Sequence, residues 1–122
     1  TVHVPSTLTG ILQARLDSLP AAERLVLQRA AVIGRTFWDG LVRAITSENG
    51  ETQDVDTHLA SLRQRGLVLH RERSLIAGNQ EYQFKHTLLR DVVYETVLLK
   101  HRRLYHKQVA QWIETYAAER LD

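Results

Sequence analysis

The 122-residue chain is 43% hydrophobic and 25% charged, ordinary for a globular domain and long enough to bury one core. It has no cysteine, which excludes a disulfide framework, a thiol nucleophile and a thiolate metal site, and its formal net charge of +2 demands no polyanionic partner. No apolar run is long enough for a transmembrane helix and no basic-then-apolar leader occurs, so no membrane partner is expected and the chain reads as cytoplasmic; the absence of methionine reads as a piece of a longer protein.

In chain order, Leu8, Ile11, Leu12 and Leu16 share one helical face, entered through Pro5-Ser6-Thr7, whose hydroxyls suit an N-cap. Leu19-Pro20 ends that helix, and Pro20 suits the first position of the next, with Glu23 favouring its dipole. The second helix runs through Leu27, Ala30, Ala31 and Ile33, and Gly34 offers a left-handed stop. A short third helix is predicted from Trp38 to about Thr46, with Trp38, Leu41, Val42 and Ile45 inward, followed by a loop over Ser47 to Glu51. A fourth carries Val55, Leu59 and Leu62, with Gly66 as its stop.

After Gly66 the apolar period switches to two. Leu67 to Glu72 reads as one strand and Glu81 to Lys85 as its antiparallel partner, joined by a loop over Ser74 to Gln80. Leu88, Leu89, Val92, Val93, Thr96 and Val97 then stripe a fifth helix. A sixth carries Tyr105, Val109, Trp112, Ile113 and Tyr116 on one face. Leaving such a stripe wet is costly, because each large apolar side chain gains roughly 1.5–3 kcal/mol on burial. Either it packs on this domain or it awaits a neighbour.

Three helices and a two-stranded wing are the order of a winged-helix domain, so the predicted fold is mainly α with that core. It spans 20–86, flanked by a linker helix over 1–19 and by C-terminal helices over 87–122. Charge is uneven: residues 1–61 carry five Arg against seven Asp/Glu, whereas residues 62–122 carry eleven Lys/Arg against seven, densest at Lys100 to Arg103 and Lys107. No Gly-x-x-x-x-Gly-Lys phosphate loop occurs, so the chain is no nucleotide hydrolase by itself. His101 and His106 lie five apart, wrong for a shared metal on one helical face, and His58 and His70 have no obvious partner. No catalytic constellation stands out. Asp91 and Glu95 should pair with Arg90, Arg102 or Arg103.

The most specific segment is Phe84-Lys85-His86-Thr87-Leu88-Leu89-Arg90-Asp91-Val92-Val93-Tyr94-Glu95, a strand that runs through a histidine into an amphipathic helix. With Val4-Pro5-Ser6-Thr7-Leu8, Ala14 to Pro20 and Leu27 to Trp38, it resembles the winged-helix segment that follows the ATPase core of bacterial STAND/AAA-type multidomain regulators. That group includes adenylate/guanylate cyclase-type proteins and relatives with LuxR-type effectors and helical repeats. The resemblance implies a non-catalytic coupling module between an upstream ATPase domain and downstream helical repeats. It implies that His86, with Arg90 one turn on, contacts the phosphate of ADP or ATP held with Mg by the ATPase domain. Where many relatives have aspartate after the histidine, this chain has Thr87, which can cap the helix but supplies no carboxylate.

Other readings are a DNA-binding domain or a nucleotide-independent protein adaptor. Winged helices often read the major groove with their third helix, and Arg63, Arg65, Arg71 and Arg73 would be the contacts here. That helix opens with Glu51, Asp54 and Asp56, which would face phosphates, so nucleic acid is the weaker expectation.

Overall fold

Four of the other five described helices and the first strand pack against one central helix, whose buried face includes the small residues Ala30 and Ala31. The computed structural model describes residues 6–46 and 54–120, the side chains at 6, 46 and 120 aside. Its elements are α1 (Ser6–Asp17), α2 (Ala21–Ile33), β1 (Thr36–Trp38), α3 (Asp39–Thr46), α4 (Val55–Gln64), β2 (Val68–Arg71), β3 (Glu81–Phe84), α5 (Thr87–Glu95) and α6 (Leu99–Arg120). The central helix is α2. It contacts α3, α4, α5, α6 and β1. The chain is thus mainly helical, as its periodicity predicts.

The sheet has three strands, not the expected two, in the order β1-β3-β2 with both pairings antiparallel. The added strand sets Thr36 opposite Gln83, Phe37 opposite Tyr82 and Trp38 opposite Glu81. Trp38 is therefore a strand residue and does not open the third helix; α3 begins at Asp39, with Leu41, Val42 and Ile45 inward as expected. Phe37 stacks on Tyr82 at 5.8 Å and meets Phe84 edge-on at 5.5 Å, which ties both strands to the core.

Two buried carboxylates hold the hairpin. Glu81 Oε1 accepts from Trp38 Nε1 at 3.0 Å and from the backbone N–H of Leu75 at 2.9 Å, while Arg71 Nε lies 3.8 Å from Oε2. Asp39 Oδ1 accepts from the N–H groups of Gly40 and Gln80, and Oδ2 from Arg43 Nη2 at 3.0 Å. A buried carboxylate is tolerated only when donors replace its lost water, and these two are supplied from several elements at once. A third, Glu23 on α2, accepts from Ser61 Oγ at 2.6 Å and Arg65 Nε at 3.1 Å and so fixes α4.

One large apolar cluster runs from Leu12 and Leu16 on α1 through Leu27, Phe37, Leu59 and Phe84 to Leu89 and Val93 on α5. A smaller one joins Val32, Ile45, Val97 and Tyr105 beneath α6. The expected α1 face is only half buried, because Leu8 and Ile11 stay 43% and 59% exposed beside buried Leu12 and Leu16. The α6 stripe packs partly on this domain. The Tyr116 hydroxyl accepts from the Ala77 N–H in the hairpin loop at 3.0 Å, and Trp112 stacks on Tyr116 at 5.4 Å. Gly40 is the point of closest approach: a Cβ there would collide with the Asn79 side chain and meet the Trp112 ring. Ile113 stays exposed.

Helix ends follow their local chemistry. Asp54 caps α4 by accepting from the Thr57 N–H and hydroxyl, bonds that hold its carboxyl below the usual carboxylate range. A lowered folded-state pKa means the cap contributes at neutral pH and is lost as pH falls through that value. Gly66 ends α4 as expected, with φ +76°, while Leu67 N–H reaches Leu62 C=O and Gly66 N–H reaches Arg63 C=O, a Schellman closure. Gly34 differs from its expected left-handed stop. At φ 148° and ψ −167° it is in an extended region open almost only to glycine and leads directly into β1. Ser6 and Thr7, whose hydroxyls are expected at the N-cap, are instead the first two residues of α1, and the loop expected over Ser47 to Glu51 lies outside the described residues.

Two pairs of variants test this account by urea unfolding. Gly66→Ala should cost about 1–2 kcal/mol through its backbone angle alone, whereas Gly10→Ala, in the open middle of α1, should gain about 0.5–1 kcal/mol. Arg29 on α2 is 7% exposed, its Nε and Nη1 lack hydrogen bonds among the described residues, and its guanidinium faces the Tyr105 ring at 5.7 Å. Arg29→Met should therefore be tolerated or stabilising by about 1 kcal/mol, since it removes buried donors that have no acceptor. Arg29→Glu, which buries a charge against the same ring, should instead destabilise strongly.

Candidate functional site

β3 and α5 are joined by Lys85 and His86, and the strand delivers the histidine to the first turn of the helix. His86 is the N-cap residue of α5, with extended backbone angles, and its carbonyl accepts from the N–H groups of Leu89 and Arg90. Its imidazole makes no capping bond; it is exposed, with no hydrogen bond, ion pair or ring contact among the described residues. No backbone carbonyl among the described residues accepts from this ring. Thr87 follows as the first residue of α5, and its hydroxyl has no partner among the described residues, so the expected threonine cap is absent.

An α-helix N-terminus leaves N–H groups unpaired and carries partial positive charge, and here no side chain quenches it. Beside the imidazole lies an apolar hollow of about 310 Å³ lined by Leu8, Leu12 and Leu88. The half-exposed α1 face thus adjoins the histidine. Donor groups and apolar surface lie side by side, an arrangement able to hold an anionic group against a larger partner.

Arg90 is committed elsewhere. Its Nε donates to the Ala31 carbonyl at 2.9 Å, closing the C-terminal end of α2, and its guanidinium lies over the Tyr94 ring at 4.6 Å. Nη1 lies 3.5 Å from Asp91, and Arg102 lies 3.7 Å from Glu95, so these carboxylates pair with arginines as the sequence suggests. Arg102 also covers the Tyr94 ring, at 4.4 Å, and the Tyr94 hydroxyl meets His106 Nε2 at 3.2 Å.

The four arginines of the nucleic-acid reading do not act together. Arg65 is held by Glu23, and Arg71 by Glu81 and by Gln83 at 3.3 Å. Arg63 and Arg73 are exposed and unpaired among the described residues. Arg63 borders a groove of about 630 Å³ between α4 and Tyr82. The Tyr82 phenol is pushed up, first by burial and then by the charges of Asp39 and Asp56, with Arg63 and Arg43 acting in the opposite sense. His70, read as partnerless, meets Gln80 at 2.7 Å and packs edge-on against Tyr82. No His/Cys/Asp/Glu cluster suited to a metal occurs among the described residues, and none of their helices is long and apolar enough to cross a membrane.

Comparison with known proteins gives one informative relative. An uncharacterized protein of Rhizobium meliloti (strain 1021) is 31% identical over 125 residues, which covers 94% of this chain and 12% of that protein. The chain thus corresponds to a small part of a much longer polypeptide. No family model matches the chain. No solved structure matches it.

His86 and Arg90 should separate on stability. Arg90→Met should cost about 1.5–3 kcal/mol in urea unfolding, because the Ala31 carbonyl loses a charged donor. His86→Ala should stay within about 0.5 kcal/mol, as expected for an exposed side chain without contacts.

Proposed function

We propose that this chain is a non-catalytic winged-helix module that couples a nucleotide-binding ATPase domain to downstream helical repeats in a STAND-type signalling regulator and senses nucleotide state through His86. The observation that carries the reading is the unpartnered, exposed His86 imidazole at the uncapped N-terminus of α5. The winged-helix assignment is supported by the order α2, β1, α3, α4 and a β2–β3 hairpin, with β3 between the other two strands. The resemblance around Phe84 to Glu95 supports the family, and the length of the Rhizobium meliloti relative supports a multidomain context.

In this reading the ATPase domain binds ADP or ATP with Mg and performs any hydrolysis. This chain contributes a donor. The His86 imidazole N–H reaches a phosphate oxygen while the first N–H groups of α5 add favourable field, and the apolar hollow beside it seats against the ATPase surface. One charged hydrogen bond of about 1.5–3 kcal/mol is enough to bias a two-state hinge tenfold or more. Arg90 acts behind His86, holding α5 on α2, so that the histidine moves with the sheet and central helix together. Nucleic acid has no part in this reading: Asp54 and Asp56 stand at the start of α4, and two of the four candidate arginines already face carboxylates. The working compartment is the cytoplasm.

The test is ADP dissociation from the ATPase-plus-winged-helix protein, wild type against His86→Ala, with circular dichroism to check folding. Release should accelerate about tenfold in the folded variant. Unchanged release would reduce His86 to a surface residue and leave the module an adaptor without a nucleotide role.

A further inference from the structure

Of the four buried charged side chains among the described residues, three are paired and one is not. Glu23, Asp39 and Glu81 each accept from two or more donors. Arg29 of α2 is equally buried, yet its Nε and Nη1 have no acceptor among the described residues. The Tyr105 ring of α6 lies 5.7 Å from its guanidinium carbon and covers the cation, but takes no hydrogen bond from either nitrogen. On α6 itself Gln108 Oε1 is buried and likewise without a partner, and its spacing of three from Tyr105 puts it on the same side of the helix. Unbonded polar groups cost free energy while they stay dry and recover it on reaching water. Docking α6 is what dries Arg29.

The apolar grip that opposes this cost is small. Among the described residues of α6 only Tyr105 is buried; it joins Val32, Ile45 and Val97, with Leu104 and Val109 partly buried beside it. The remaining fastenings lie at the surface: the Tyr94 hydroxyl on His106, Arg102 on Glu95, and the Tyr116 hydroxyl on the Ala77 N–H. Water replaces each of these at little cost. The entry to α6 is also suited to turning. Thr96 is bonded to Gln28 and to the Val93 carbonyl, and Val97 is buried, whereas the next two residues, Leu98 and Leu99, are 59% and 60% exposed. The chain is anchored up to Val97 and loosely held just after it.

We propose that α6 is a releasable arm that swings away from α2 and α3 about Leu98 as one unit, wetting Arg29 and Gln108, while α1 to α5 and the sheet stay folded. The larger apolar cluster permits this, because its buried members run from Leu12 to Val93 and none comes from α6. Release uncovers the smaller cluster alone. Arg29 sets the balance: it leaves the docked state intact but lowers the free energy needed to leave it, so that opening is local and not global. The device uses neither His86 nor nucleotide, and its test stands apart from the nucleotide reading.

The experiment is native-state hydrogen exchange on the 122-residue chain, resolved by residue with NMR. Amides of residues 103–112 in α6 should exchange at one common opening rate, about 100-fold or more faster than those of Leu27 and Ala31 in α2. Arg29→Met and Gln108→Leu remove the unbonded groups, and each should slow exchange over 103–112 by about tenfold. Arg35→Met, the same change at an exposed arginine, should leave it unaltered. Tyr105→Ala should strip protection from α6 and leave α2 protected. Equal protection of α6 and α2 in the wild type overturns the proposal, as does joint loss of protection in Tyr105→Ala. A gradient of exchange rising toward the C-terminal end of α6 would mean simple fraying and overturns it too. So does unchanged α6 exchange in both Arg29→Met and Gln108→Leu.

Discussion

The buried carboxylate of Glu81 sets the geometry on which the candidate site depends. It stands at the start of the central strand and accepts from Trp38 on β1 and from the hairpin loop at Leu75, with Arg71 of β2 alongside. One side chain therefore registers all three strands and the loop. A carboxylate removed from water is stabilised only while its donors stay in place, so the strands cannot slide without leaving it unsatisfied. Three residues further on, β3 ends at Phe84, buried in the core, and the chain turns outward to His86. The histidine owes its position to a strand fixed at both ends.

What the sequence made legible follows from how local the determining interactions are. The β2 and β3 strands and the turn into α5 could be read because alternation gives way to helical spacing within a few residues around His86. β1 could not. Thr36-Phe37-Trp38 is too short to show a period, and it is a strand only because β3 supplies its hydrogen bonds from more than forty residues away. Read locally, Trp38 joins the helical spacing of Leu41, Val42 and Ile45. Helical periodicity likewise placed Leu8 and Ile11 on a face with Leu12 and Leu16, but spacing does not reveal how much of a face its neighbours cover.

The same distinction separates the two members of the predicted phosphate contact. His86 stands at the strand-to-helix junction that the sequence singles out, and its ring is exposed and unpartnered among the described residues. Arg90 shares its helix, but its partner is the Ala31 carbonyl, 59 positions earlier, and no local pattern announces such a bond. Packing also answers the question posed by the aromatic stripe of α6. Tyr116 is bonded to the hairpin loop and Trp112 stacks on it near Gly40, whose missing side chain makes room for Asn79, while Ile113 faces solvent.

That arrangement has a mechanical consequence. α6 is a 22-residue helix, about 33 Å long at the usual rise, rooted in the smaller core by Tyr105 and fastened further along by Tyr116 to the hairpin. A rod clamped at two points transmits torque instead of bending. Twisting its distal end would load the Tyr116–Ala77 bond first, then the hairpin, and through β3 the junction that bears His86. Tension on the helix would thus reach the strand that leads to His86 before the core began to open.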